Sequence, residues 1–143
     1  MSQQLNLATT QYKVKDLPRF VILEHDYPLR HWDFMLENGD RLRAWKLLDN
    51  PEDLLKQSKQ GFSIRANTAQ NHRLIYLDYE GPVSSNRGFV TQFDKGTFDW
   101  VENNNEQVKI HLNGQRLKGI AELTKDNILD DWHLAFIAAG IID

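Results

Sequence analysis

A chain of 143 residues with 41% hydrophobic and 26% charged residues has the size and composition of one globular domain that buries its own core. It contains no cysteine, which excludes disulfides, thiolate metal sites and cysteine nucleophiles. The net charge of −3 does not by itself support a nucleic-acid partner, because proteins that bind a phosphate backbone usually carry a basic patch.

From the N-terminus, residues 1–18 are predicted to form an extension of a single domain that covers residues 1–143. No basic stretch precedes a long apolar one and no apolar run is long enough to span a membrane, so we expect a cytoplasmic protein without a membrane partner. Short apolar, β-branched or aromatic runs then predict strands, at 19–23, 32–36, 42–48, 73–79, 88–94, 96–101, 107–112, 117–123 and 132–137.

Turns rich in Asn, Asp and Gly separate several of these strands, and they predict hairpins at 38–40, 94–96 and 113–114. One short helix is predicted between Asn50 and Gly61. Asn50 can cap it, Pro51 suits its first position and Gly61 can end it. Many short strands with one short helix predict a mainly β fold, an antiparallel barrel or sandwich.

The segment 24–36 contains the densest set of potential metal ligands, His25, His31 and Asp33. If 30–36 is a strand, His31 and Asp33 share one face, whereas Trp32 and Phe34 share the other. Two imidazoles and one carboxylate make a three-ligand site with open positions, which is typical of a catalytic divalent metal.

His72 and Tyr76 form a second constellation. If the predicted strand 73–79 also includes residue 72, the two side chains face the same side. They would then lie roughly 13 Å apart along the strand at the usual rise per residue. Histidine can donate to a phosphate oxygen or transfer a proton near neutral pH, and a tyrosine hydroxyl can bind a second oxygen. Both side chains could therefore line one cavity, although half-buried histidines and tyrosines are common on strands.

Several sequence motifs, taken in chain order, resemble those of the 3′-phosphoesterase domain. This domain is found fused to bacterial DNA ligase D and also as a free-standing small protein. The first motif reads Phe-Val-Ile-Leu-Glu-His-Asp at 20–26 and His-Trp-Asp-Phe-Met-Leu at 31–36. The second reads Asn-His-Arg-Leu-Ile-Tyr-Leu-Asp-Tyr-Glu-Gly at 71–81. Later signatures look like Phe-Asp-Lys-Gly-Thr-Phe at 93–98 and Leu-Asn-Gly-Gln-Arg-Leu-Lys-Gly at 112–119. The resemblance covers about residues 19–137.

The resemblance implies a compact antiparallel β-barrel enzyme that uses a divalent metal, typically manganese, at nucleic-acid 3′ ends. Such enzymes remove a terminal 3′-ribonucleoside and a 3′-phosphate, and end-joining repair proteins are their expected partners. Carried over by position, His25, His31 and Asp33 would be metal ligands. His72 and Tyr76 would hold the scissile phosphate.

The chain departs from the family pattern at Met35, where the family has an arginine two residues after the ligand aspartate. A thioether cannot replace the charge-assisted hydrogen bonds of a guanidinium to phosphate. Arg43 and Arg65 are the candidates to compensate as substrate-binding residues from a neighbouring strand.

Two other functions are compatible with these residues. One is a catalytically silent binding domain that keeps the fold and the metal site, which the loss at Met35 favours. The other is a mononuclear iron oxygenase, because His31, Asp33 and the distant His72 mimic a triad of two histidines and one carboxylate. The oxygenase leaves His25 unexplained, and the silent domain leaves the retention of five polar site residues unexplained.

Overall fold

The computed structural model describes residues 16–56, 62–127, 129 and 131–140. Within them the chain forms nine strands, one turn of α-helix and one 3₁₀ helix. These are β1 (Arg19–His25), β2 (His31–Asn38), β3 (Arg41–Leu47), α1 (Glu52–Leu55), β4 (Ser63–Arg73), the 3₁₀ helix (Leu74–Asp78), β5 (Gly81–Pro82), β6 (Phe89–Asn103), β7 (Gln107–Gly114), β8 (Lys118–Lys125) and β9 (Asp131–Ala138). No helix in this part of the chain has the length and apolar character needed to cross a membrane.

All nine strands belong to one antiparallel sheet with the order β1-β2-β3-β4-β9-β8-β7-β6-β5. β1 also pairs with β6, and this second pairing closes the sheet into a ring. The predicted antiparallel, barrel-like β fold with one short helix is therefore confirmed.

Strand alternation divides the apolar side chains between two clusters. The large cluster fills the ring with side chains from eight strands, and Trp45 and Trp132 meet there edge to face with ring centroids 5.6 Å apart. The small cluster lies on the outer face of β1, β2 and β3, around Leu23 and Met35. The 3₁₀ helix packs over it and buries Leu77. The candidate site lies beside this outer cluster.

The predicted strand 73–79 is wrong. β4 ends at Arg73, opposite Arg41 at the start of β3, so no neighbouring strand continues beyond this pair. The apolar residues that follow turn back as the 3₁₀ helix and cover the outer face. β4 itself was not predicted, because its sequence, Ser-Ile-Arg-Ala-Asn-Thr-Ala-Gln-Asn-His-Arg, contains no apolar run of strand length.

The predicted hairpin at 94–96 is also wrong, because β6 runs through it without a turn. Asp94 is completely buried, and its carboxylate accepts four backbone N–H groups instead of starting a turn. The donors lie 2.8–2.9 Å away, at Lys95 and in the β7–β8 connection at Gln115, Arg116 and Leu117. A Cβ on Gly96 would lie 2.1 Å from the Asn113 carbonyl oxygen, so glycine is needed there for close approach of two strands.

The other predicted boundaries differ by a few residues at most. The hairpin at 38–40 joins β2 to β3, and the turn predicted at 113–114 occurs at 115–117. α1 begins at Glu52, whose N–H is accepted by the Asn50 side chain at 2.9 Å. The predicted end of this helix at Gly61 lies outside the described residues.

Candidate metal centre

The end of β1 and the beginning of β2 bring three potential metal ligands together. His25 is paired with His31 across the two strands, and Asp33 follows two residues later. One ligand atom from each of the three residues lies within 4.8 Å of the other two. His31 and Asp33 are buried, on the face of β2 opposite Trp32 and Phe34.

Backbone carbonyls fix the orientation of both imidazoles. His25 donates from Nε2 to the Arg87 carbonyl oxygen, and His31 donates from Nδ1 to the Leu29 carbonyl oxygen, each over 2.8 Å. Because a carbonyl oxygen can only accept, these nitrogens carry the protons, and the other ring nitrogens keep their lone pairs. His25 Nδ1 lies 3.5 Å from Asp33 Oδ2, and His31 Nε2 lies 3.2 Å from Asp33 Oδ1.

This donor set fits a divalent metal. Two neutral imidazole nitrogens and one carboxylate oxygen suit manganese, iron or zinc, and three protein ligands leave coordination positions open for water and substrate. Burial lowers the pKa of His31, but the hydrogen bond and charge of Asp33, together with the Leu29 carbonyl, outweigh it and raise that pKa above its usual value. The surroundings of His31 therefore favour positive charge.

A cavity of about 350 Å³ lies over this group. His25 and Asp33 line it together with His72 and Tyr76, so the two constellations predicted from the sequence meet in one place. Their geometry differs from the prediction, because His72 belongs to β4 and Tyr76 to the 3₁₀ helix. The two rings are in edge-to-face contact with centroids 5.7 Å apart, instead of lying along one strand. His72 donates from Nδ1 to the Gln70 carbonyl oxygen at 2.8 Å, which leaves Nε2 available.

Three arginines that sequence reasoning did not select also line the cavity, namely Arg41, Arg73 and Arg87. None of them forms an ion pair with any residue that the structure describes. Arg41 and Arg73 are direct partners in the β3–β4 register, a placement that is unfavourable for two like charges unless an anion lies near them. The sequence could not indicate this pair, because its register depends on β4.

The loop that carries Arg87 is closely fitted against the β1–β2 connection. Gly88 has a φ of +82°, and a Cβ there would lie 2.3 Å from Asp26 Oδ1. The same Asp26 oxygen accepts the Phe89 N–H at 2.8 Å. The Arg87 side chain donates to the Ser84 carbonyl oxygen at 2.8 Å. This loop therefore supports the site twice, through the Arg87 carbonyl at His25 and through the Arg87 side chain at the cavity.

Neither of the arginines expected to bind substrate lines this cavity. Arg43 donates to the Asn103 side chain at 2.6 Å and lies over the Trp45 ring, and partial burial lowers the pKa of its guanidinium. Arg65 forms an ion pair with Asp49 at 2.7 Å. Met35 does line the cavity, although it is almost fully buried in the outer apolar cluster.

His72 is not part of the ligand group. Among the residues that the structure describes, the group of His31 and Asp33 is completed by His25. The triad on which the oxygenase interpretation depends, with His72 as the third ligand, is therefore not the one that forms.

Comparison with known proteins gives consistent matches. The family model of the DNA ligase D 3′-phosphoesterase domain matches residues 23–125. The chain is 30% identical over 115 residues to the multifunctional non-homologous end joining protein LigD of Mycobacterium bovis and to the corresponding DNA repair protein of Mycobacterium tuberculosis. It is 25% identical over 120 residues to LigD of Pseudomonas aeruginosa. These matches cover 76% to 78% of the chain but only 14% of each relative.

Proposed function

Since the chain belongs to the DNA ligase D 3′-phosphoesterase domain family, we propose that it is a metal-dependent phosphoesterase that acts on the 3′ ends of DNA or RNA. The observation that carries this proposal is one cavity lined by His25, Asp33, His72, Tyr76 and three arginines without ion pairs among the described residues. Its substrates would end in a 3′-ribonucleoside or a 3′-phosphate. The names of the relatives refer to end joining, and we propose end-joining repair as the setting for this chain too.

We propose that His25 Nδ1, His31 Nε2 and the Asp33 carboxylate hold the metal, with manganese as the cognate ion. When bound, such an ion polarises a phosphoryl oxygen and lowers the pKa of a bound water. The carbonyls of Arg87 and Leu29 hold the imidazoles in the tautomers that this requires, which supports the assignment.

The opposite wall would bind the phosphate. The Tyr76 hydroxyl can donate to a non-bridging oxygen. Water would attack phosphorus as the bond to the leaving oxygen breaks, and His72, with protons on both ring nitrogens, would pass the Nε2 proton to that oxygen. Arg41, Arg73 and Arg87 would neutralise the charge that develops on the phosphoryl oxygens. In this proposal they replace Arg43 and Arg65 as the substrate-binding arginines, and they compensate for the family arginine that is absent at Met35.

The arginines give a quantitative prediction. The double substitution of Arg41→Gln and Arg73→Gln is expected to lower kcat/KM for a 3′-phosphate oligonucleotide by about 10²-fold, because charge-assisted contacts to the phosphate are lost. Arg65→Gln is the matched control and is expected to change kcat/KM by less than about twofold, since Arg65 does not line the cavity and is paired with Asp49. A larger effect of Arg65→Gln than of the double substitution would return the role to Arg65.

The function is tested with a labelled primer-template that ends in a 3′-ribonucleotide or a 3′-phosphate. In the presence of manganese, we expect the wild-type protein to produce a 3′-hydroxyl end on a denaturing gel. We expect His72→Ala to leave both ends unprocessed, because it removes the group that donates to the leaving oxygen. Equal conversion by the two proteins would contradict the role of His72.

The presence of Met35 favours a second candidate function, that of a catalytically silent domain that binds nucleic-acid ends. Its burial in the outer apolar cluster places a thioether where the family pattern has a guanidinium. The same gel assay distinguishes the two candidates. A wild-type protein that leaves the labelled end unconverted on the denaturing gel, but retains it on a native gel with manganese bound, would support the silent domain.

A further inference from the structure

A second cavity, of about 280 Å³, adjoins the first. Arg73, Tyr76 and Val83 line both of them. These three residues form the border between the cavities, so a group attached to a phosphate in the first cavity would lie next to the second.

Aromatic and apolar side chains form part of the wall of the second cavity, and Arg73 and Ser84 complete it. Tyr76 and Tyr79 stand edge to face with ring centroids 5.8 Å apart, and Pro82 and the side chain of Ile75 extend the same wall. Ile75 is 60% exposed, so its side chain is accessible to a ligand in this cavity. The Arg73 guanidinium lies 6.0 Å from the centre of the Tyr76 ring, at the border between the two cavities.

Hydrogen bonds hold this wall in shape. The Tyr79 hydroxyl donates to the Pro82 carbonyl oxygen, and the Val83 N–H donates to the Gly88 carbonyl oxygen at 2.8 Å. Because the aromatic surface is already fixed, little conformational freedom would be lost when a flat ligand packs on it.

We propose that the second cavity is a nucleobase subsite that binds the base of the nucleoside attached to the phosphate in the first cavity. This inference rests on the proposed function and extends it, because it assigns the residues that contact the terminal base, in addition to those that contact the phosphate. Proteins stack unpaired bases on aromatic rings and on the planar guanidinium groups of arginine, and this stacking accepts any of the four bases. A base is joined to its phosphate through one sugar, so two adjoining cavities are the arrangement that a nucleotide needs.

The test measures binding without catalysis. Two 3′-phosphorylated trinucleotides are compared by calorimetry with metal-free protein, one with a terminal adenosine and the other with a terminal abasic residue. The adenosine form is expected to bind about tenfold more tightly, as the loss of one stacked base would predict. Ile75→Ser is expected to reduce this ratio about threefold or more, since it removes apolar contact from one side of the base.

Ile137→Ser serves as the matched control, because Ile137 is 40% exposed on β9 and lines neither cavity. It should leave the ratio unchanged. Equal affinity of the wild-type protein for the two trinucleotides would overturn the subsite while leaving the proposed function intact. Failure of the metal-free protein to bind either one would overturn the subsite, whereas the proposed function is decided separately by the gel assay with manganese. A dimer that dissociates only on Ile75→Ser, seen by sedimentation, would assign the apolar wall to a second copy of the chain and also overturn the subsite.

Discussion

We expect His31→Ala to lower the manganese-dependent hydrolysis of an aryl phosphodiester by about 10³-fold or more, because the metal supplies several kcal/mol of charge stabilisation in the transition state. His31 is buried, and its Nε2 lies 3.2 Å from the Asp33 carboxylate. No other described side chain completes the group if this imidazole is removed. The rate is measured as kcat/KM, together with the number of manganese ions bound per chain.

His111→Ala is the control for this experiment. His111 is exposed on β7, away from the ligand group, and its substitution should change neither rate nor metal content. Circular dichroism of both variants checks that the fold is kept. Equal rates for the wild-type protein and His31→Ala would eliminate the enzyme that we propose, and an unchanged metal content would eliminate the ligand assignment.

We expect the second large effect from Asp94, on stability instead of activity. Asp94→Ala should lower the free energy of unfolding by about 3 kcal/mol or more, because four backbone N–H groups lose a charged acceptor and at least one of them is buried. Urea denaturation followed by tryptophan fluorescence measures the change. The midpoint should fall without a change in slope, since the folded state exposes no additional surface.

Two further variants sharpen this prediction. Asp94→Asn keeps one acceptor oxygen but loses the bond from the Leu117 N–H, so its effect should be smaller, about 1–3 kcal/mol. Asp99→Ala changes an exposed carboxylate on the same strand and should stay within about 0.5 kcal/mol of the wild-type protein. If Asp94→Ala unfolds at the same urea concentration as Asp99→Ala, the turn at 115–117 does not depend on the carboxylate.

The clustering of the three potential ligands could be predicted because its geometry is local. His31 and Asp33 share a face through strand alternation alone, and a connection of five residues returns the chain to His25. The antiparallel fold could be predicted for a similar reason, since most of its strands carry an apolar run and end at a turn.

The Arg41–Arg73 pair and the His72–Tyr76 contact could not be predicted, because they depend on β4. This strand is mostly polar, and it is stabilised by pairing with β3 and β9 instead of by its own apolar pattern. Because β4 itself could not be predicted, nothing in the sequence indicates the register that places Arg41 opposite Arg73. The role of Asp94 could not be predicted for another reason. Asp-Lys-Gly is typical of a tight turn, but here Asp94 lies inside β6 and accepts N–H groups of the β7–β8 connection.

Arg87 contacts both halves of the site, with its carbonyl at His25 and its side chain at the cavity wall. With the roles proposed here, the loop conformation that orients the metal ligand is also the one that presents a guanidinium to the phosphate. Metal and substrate would then bind cooperatively, since each selects the same arrangement of the loop. Thermodynamic reciprocity requires the factor by which manganese tightens substrate binding to equal the factor by which substrate tightens manganese binding.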